Sequence, residues 1–227
     1  MKKKLEHSDG RQHSRRAFYW QTSLVLAGVL LLFAIHWFIG LFRPPGHFRT
    51  VEIIESNQIS LYLSNVILPE LYNKSQRGKP FEMIFAEEGI NEIISRHLDA
   101  KLLQKWEISD VSVTFAAGEI LLAGKTKYRG RDFIVTAVFE PVICEKGFNA
   151  GLTAIQVGTS SVPFAKKILR DRILYKLAGQ NSDVVHYAGV LFSDNRIQPE
   201  FTFEHRNLKV QEIITEKHKL IIRFLPD

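Results

Sequence analysis

Several short segments of this 227-residue chain come close to the patterns that do chemistry. Gly124-Lys125-Thr126 has the ending of a phosphate-binding loop, whose backbone N–H groups cradle phosphates and whose lysine reaches them. That loop also needs a glycine at position 119. The chain has Glu119 there, Gly118 is one place too far, and the stretch between alternates like a strand. Ser193-Asp194-Asn195 matches one box of the penicillin-recognising enzymes, but no Ser-x-x-Lys nucleophile box accompanies it, so a turn is the simpler identity. No Gly-x-Ser-x-Gly elbow occurs. The eight histidines are scattered, with no pair at helical metal-ligand spacing and no cysteine cluster beside them. Glu87-Glu88 could in principle share a proton, yet acidic residues opening a helix are already explained by the helix dipole. Cys144 is the single cysteine, which excludes an intramolecular disulfide and reads as a buried, inert thiol. The expectation is a protein that is not an enzyme, with no catalytic residue, metal ligand or cofactor.

The elements around these residues are more telling. Residues 17–42 contain no Asp, Glu, Lys or Arg. A bilayer core of about 30 Å needs roughly 20 apolar helical residues, so the run is long enough to span. It exceeds a signal-peptide core, no Ala-x-Ala follows it, and Tyr19, Trp20 and Trp37 lie near its ends as interfacial aromatics do. His36 within it fits a neutral histidine near the headgroups, and Gly28 and Gly40 are too far apart for a small-xxx-small dimer motif. Lys2, Lys3, Lys4, Arg11, Arg15 and Arg16 precede the run and predict a cytoplasmic N-terminus. The formal charge of +6 is confined to this end. Residues 1–50 hold eight Lys and Arg against two Asp and Glu, leaving 22 of each sign in the remaining chain. The basic pI is thus a topology signal and gives no support for nucleic-acid binding.

The predicted organisation is a basic cytoplasmic tail over 1–16, an anchor over 17–42, a linker over 43–50 and one extracytoplasmic domain over 51–227. In that domain the spacing of Leu61, Leu63, Val66 and Leu68 predicts a helix over 60–72, kinked or ended by Pro69. Phe81, Met83 and Phe85 alternate as a strand. Ile90, Ile93, Ile94, His97 and Leu98 then fall on one helical face, which makes His97 a core histidine. Four alternating runs follow, from Ile108, Glu119, Phe133 and Phe148, joined by Gly118, Gly130 and Gly147 turns: an antiparallel meander. The third run is apolar on both faces and ends at Pro141. Gly158 to Pro163 has hydroxyls that could cap a helix and a proline suited to its first turn, predicting a helix over 164–177. Three further strands are expected near Phe201–Phe203, Leu208–Ile214 and Leu220–Leu225. The stretch 181–200 has no clear pattern.

The order strand, Glu87-Glu88-Gly89-Ile90-Asn91-Glu92-Ile93-Ile94 helix, meander, then Val157-Gly158 leading to Val162-Pro163 and a helix resembles the tubular lipid-binding (TULIP-like) folds of small bacterial membrane-anchored envelope proteins. The resemblance covers about 40 % of the chain and rests on soft patterns. It implies an α+β fold in which a curved antiparallel sheet packs on helices, behind a single N-terminal transmembrane helix. It further implies that Phe115, Leu122, Phe133, Val135, Phe139 and Leu152 could line an apolar groove; in a plain globular domain the same residues would simply form a core. The function expected is binding of a lipid or amphiphile in the cell envelope. The alternative is a non-catalytic scaffold or interaction subunit of an envelope protein assembly. The partners expected are the membrane, a lipid and envelope proteins.

Overall fold

The computed structural model describes residues 9–51, 59–98, 103–104, 107–144, 147–163, 165, 167 and 196–226, with side chains from Ser23 onward. The first helix, α1, runs Asp9–Phe42, and its Ser23–Phe42 portion, of mean hydropathy 2.5, is long and apolar enough to cross a membrane. Where one sheet was expected, the strands form two antiparallel sheets. Strands β1 (Phe81–Ala86), β7 (Glu200–Phe203), β8 (Arg206–Glu216) and β9 (Lys219–Pro226) make a C-terminal sheet in the order β1-β9-β8-β7. Strands β2 (Ile108–Ala116), β3 (Glu119–Tyr128), β4 (Arg131–Cys144), β5 (Gly147–Val157) and β6 (Ser160–Ser161) make the meander sheet in chain order. The early strand β1 lies too far along the chain from β2 for a hairpin and pairs with the last strand instead, Phe81 opposite Phe224.

The helix predicted around Pro69 neither stops nor breaks. It starts at Leu61, widens over Leu63–Ile67 to a π-helical stretch, and continues as α2 (Leu68–Ser75). A helical proline clashes with the carbonyl four residues back and removes one hydrogen bond. In the widened turn the Leu68 N–H reaches Leu63 O, five residues back, which accommodates Pro69 in the first turn of α2. This helix covers the C-terminal sheet, where Ile67 and Leu71 pack on Met83, Leu208 and Phe224. Its start is capped twice. Ser60 Oγ accepts the Leu63 N–H at 3.0 Å, and the Glu92 carboxylate accepts from Ser60 Oγ–H and from the Leu61 and Tyr62 amides. Desolvation works against the Glu92 anion. The hydrogen bonds from Ser60, Tyr62, Leu61 and Arg96 outweigh it and hold the carboxyl below its ordinary value.

Helix α3 (Glu87–His97) has the predicted period, but its most buried side is not the isoleucine face. Glu87, Gly89 and Ser95 are its buried residues, Ile90, Ile93 and Ile94 are half-buried, and His97 is exposed, its Nε2 accepting the Ser60 N–H at 3.4 Å. The reason lies in the edge of the meander sheet. Strand β2 presents unpaired backbone groups on its outer side, and α3 satisfies them with side chains. Asn91 accepts the Val113 N–H and donates to the Val113 carbonyl, both at 2.7 Å. Glu87, 3 % exposed, accepts the Phe115 N–H at 2.9 Å. His218, in the β8–β9 turn, donates its own N–H to Phe115 O at 3.1 Å and sets its Nδ1 at 3.2 Å from the Glu87 carboxylate. Glu87 N–H in turn reaches His218 O at 3.0 Å. A polar stripe therefore faces inward because the edge needs it more than the isoleucines need burial. Gly89 permits the other contact of α3, since a Cβ there would collide with the Tyr62 ring.

Two further expectations change. Strand β4 runs through Pro141 to Cys144, because beyond Phe139 β5 is its one paired strand among the described residues and a missing N–H is tolerated on the other side. Cys144 is exposed at that strand end, its Sγ 3.0 Å from Arg196 Nη1. The segment after Gly158 turns into β6 rather than directly into a helix. The helix predicted over 164–177 lies outside the described residues apart from helical positions Ala165 and Lys167.

Asn91→Asp tests the edge closure. The substitution keeps the acceptor for Val113 N–H but replaces the donor with an anion facing two carbonyl oxygens. It should lower stability by about 1–3 kcal/mol, seen as a fall in melting temperature by circular dichroism of the detergent-solubilised full chain. An unchanged melting temperature would mean that α3 does not hold the edge.

Candidate functional site

The register of the meander sheet decides which apolar residues share a face. Directly opposed residues point the same way. One row runs Phe115–Ile120–Phe139–Leu152, the next Val113–Leu122–Ala137–Ile155, the next Gly124–Val135–Val157, and the last joins Thr126 to Phe133. All six groove candidates thus occupy a single face. Their burial differs along it. Phe115, Phe139 and Leu152 are closed off, and Phe139, Leu152 and Ile155 form a cluster with Ile120, Val135, Ala137 and Ala165 around it. Phe133 and Val135 are half-buried, and Leu122 is 39 % exposed. Strand β4 is sheltered on both sides, since Thr136 and Val138 on its other face are buried as well. That other face meets the chain leaving α1: His47 Nε2 lies 3.2 Å from Thr136 Oγ1, and Thr114 Oγ1 donates to His47 O at 3.1 Å.

The open end of the apolar face abuts α1. The Phe42 ring, last in the apolar helix, sits 5.3 Å from Phe133, and the Arg131 guanidinium lies over Phe42 at 5.6 Å. The end of α1 is held by the β5–β6 turn. Carbonyls of its last turns take extra donors from that turn, Gly40 O accepting the Arg43 N–H at 3.3 Å as well. Thr159 N–H donates to Gly40 O at 2.9 Å, Ser160 Oγ–H to Trp37 O at 2.8 Å, and Trp37 Nε1–H returns a bond to Ser161 O at 3.1 Å. Two glycines make the approach possible. A Cβ on Gly40 would collide with Ser160 Oγ, and one on Gly158, whose φ is +58°, would lie 2.6 Å from Leu41 O and 2.8 Å from Arg43 O. Gly40, Gly158, Arg131 and His47 were not singled out from the sequence as site residues. The available signal was a glycine near the end of an apolar run and a second in a Gly-Thr-Ser turn, which only the fold brings together.

Burial pushes the His47 imidazole below its ordinary value, so the neutral form is the one that packs here. Its contribution to stability is complete above about pH 6.5 and is lost as pH falls through the lowered value.

Among the described residues, two open clefts flank the sheet. One, of about 700 Å³, is lined by Leu103, Glu107, Ile108, Lys125, Thr126 and Asp132 among others, with the Lys125 ammonium 3.1 Å from Asp132 and 3.9 Å from Asp110. The other, of about 320 Å³, includes Glu140, Cys144, Leu152 and Arg196. Among the described residues no group of three or more His, Cys, Asp or Glu comes together to hold a metal.

A bulkier residue at the joint should release α1. Gly158→Val combines a strained backbone with a clash on Leu41 O. Amide exchange over residues 158–162 of the membrane-reconstituted chain should accelerate about tenfold or more while the β2–β3 amides keep their protection. Unchanged exchange would mean that the turn does not hold the helix. Comparison with protein-family models, with curated proteins and with solved structures finds no match for this chain.

Proposed function

We propose that α1 anchors the chain in a membrane with its basic N-terminus in the cytoplasm, and that the domain beyond it binds a lipid or other amphiphile on the apolar face of the meander sheet. The observation that carries this reading is the Phe42–Phe133 contact, which makes the apolar helix and the apolar sheet face continuous. A hydrocarbon chain could then pass from one to the other without crossing water. From Phe133 to Phe139 the strand extends about 20 Å, more than half of a bilayer core of about 30 Å, so it could accept one acyl chain. In this reading Phe133, Val135 and Leu122 meet the ligand, while Phe115, Phe139 and Leu152 form the closed end against which it stops. The meander sheet would curl around the ligand, as the resemblance to tubular lipid-binding folds implies. Binding of this kind makes and breaks no covalent bond.

A second reading, a scaffold that docks onto an envelope protein, draws on the C-terminal sheet. Ile84, Ile221 and Ile214 lie side by side on its outer face, Ile84 being 50 % exposed, beside the Glu82–Arg223–Glu212 ion triplet. An aliphatic row with a charged border suits a protein interface.

Val135→Asp separates the readings. If ligand lies over Val135, the full chain should stay folded and lose the lipid that co-purifies with wild type, as read by native mass spectrometry. If the face is an ordinary core, the same change buries an unpaired charge, at a cost of several kcal/mol, and the domain should unfold. Wild-type protein that carries no lipid after gentle extraction would leave the scaffold reading.

A further inference from the structure

The tip of the β3–β4 hairpin combines features that the groove does not use. Tyr128 pairs with Arg131, so Arg129 and Gly130 form a two-residue loop, and both have positive φ, +51° and +80°. Such a turn matches the twist of a hairpin and favours Asn-Gly. An arginine in the left-handed region is disfavoured, because its Cβ crowds the following carbonyl oxygen. A strained residue of this kind directs attention to what its side chain does. Here the Arg129 guanidinium rests on the Tyr128 ring at 5.5 Å, and that ring is 62 % exposed. The Arg131 guanidinium covers Phe42 at 5.6 Å. Lys127 is exposed on the same tip. Among the described residues no carboxylate pairs with Arg129 or Arg131; the nearby Asp132 is engaged by Lys125.

Position gives this cluster its meaning. Phe42 ends the apolar helix, so a guanidinium stacked on it stands at the depth where hydrocarbon gives way to headgroups. Tyrosine and arginine are the residues that suit that depth, an apolar body with a polar or charged tip. Guanidinium groups hold phosphate oxygens through paired N–H donors.

We propose that the hairpin tip, through Arg129 and Arg131 with Tyr128 beside them, is a second lipid contact that binds the phosphates of anionic lipids in the leaflet where α1 emerges. This rests on the anchored reading of α1 but does not depend on a ligand in the groove. The tip, together with the joint at Gly158, fixes the azimuth of the sheet so that Phe133 faces the bilayer.

The test uses the full chain in nanodiscs of mixed phosphatidylglycerol and phosphatidylcholine, in a Cys144→Ser background. A nitroxide at Tyr128→Cys should report headgroup depth by collisional relaxation. One at Glu119→Cys, nine residues along β3 and about 30 Å away, should report bulk water. Native mass spectrometry should show phosphatidylglycerol enriched on wild type, with the enrichment falling about fivefold or more in Arg129→Gln/Arg131→Gln. An aqueous Tyr128→Cys label in a chain that stays inserted, or an enrichment that the double variant leaves intact, overturns the proposal. A chain that washes off the bilayer in high salt overturns the anchored reading, and this proposal with it. Circular dichroism of the double variant checks the fold, and Lys127→Gln, which removes a charge at an exposed position, should give a smaller fall in enrichment in the same direction.

Discussion

Exposed strand edges are the constraint around which this domain is organised. A five-stranded meander leaves backbone N–H and C=O groups unpaired along its first and last strands, and an open edge recruits other chains. On the β2 side the groups of Val113 and Phe115 are taken up by Asn91, Glu87 and the backbone of His218. Because His218 belongs to the C-terminal sheet and Glu87 to α3, one set of hydrogen bonds joins both sheets and a helix. Each such bond contributes only about 1 kcal/mol net, but leaving its buried partner unmet costs more. The C-terminal sheet follows the same rule at β1, where Tyr62 accepts the Ala86 N–H through its hydroxyl oxygen and Lys74 donates to Glu82 O.

At the far edge of the meander α1 meets the short strand β6 and the turn before it, while Ile197 pairs with Phe148 further along β5. Trp37, Gly40 and the β5–β6 turn exchange hydrogen bonds that join the end of a helix to the end of a sheet. A helix that only tethered a domain would need none of these. Joined in this way, α1 sets the distance and direction of the domain, and its last ring touches half-buried Phe133 at the open end of an apolar sheet face. The proposed lipid binding follows from that adjacency, and the basic hairpin tip belongs to the same geometry.

Much of the strand content was legible in the sequence because period-2 alternation and glycine turns are local. The meander, β8 and β9 all fall where the alternation of Val, Ile, Leu and Phe puts them. What could not be read was the partner of each surface. Helix α3 showed its period, but its apolar side is half-buried and its polar side buried, since the demand came from a strand edge some 25 residues further along the chain. Pro69 signalled a break that a π-helical turn absorbs. Cys144 was expected inside and sits at an exposed strand end. The six groove candidates shared a face because hairpin register is nearly fixed by short turns, yet the contrast between closed Leu152 and exposed Leu122 depends on what covers the sheet. Gly40 and Gly158 are 118 positions apart, and no local pattern links them.

The central claim is that α1 is fixed to the meander sheet where its last ring meets Phe133. Replacing Phe42 with the photoreactive p-benzoylphenylalanine in the full chain, and irradiating it in native membranes, tests this directly. The account predicts an internal cross-link recovered on the β4 peptide that contains Phe133. Adducts with lipid alone, and none within the chain, would contradict it.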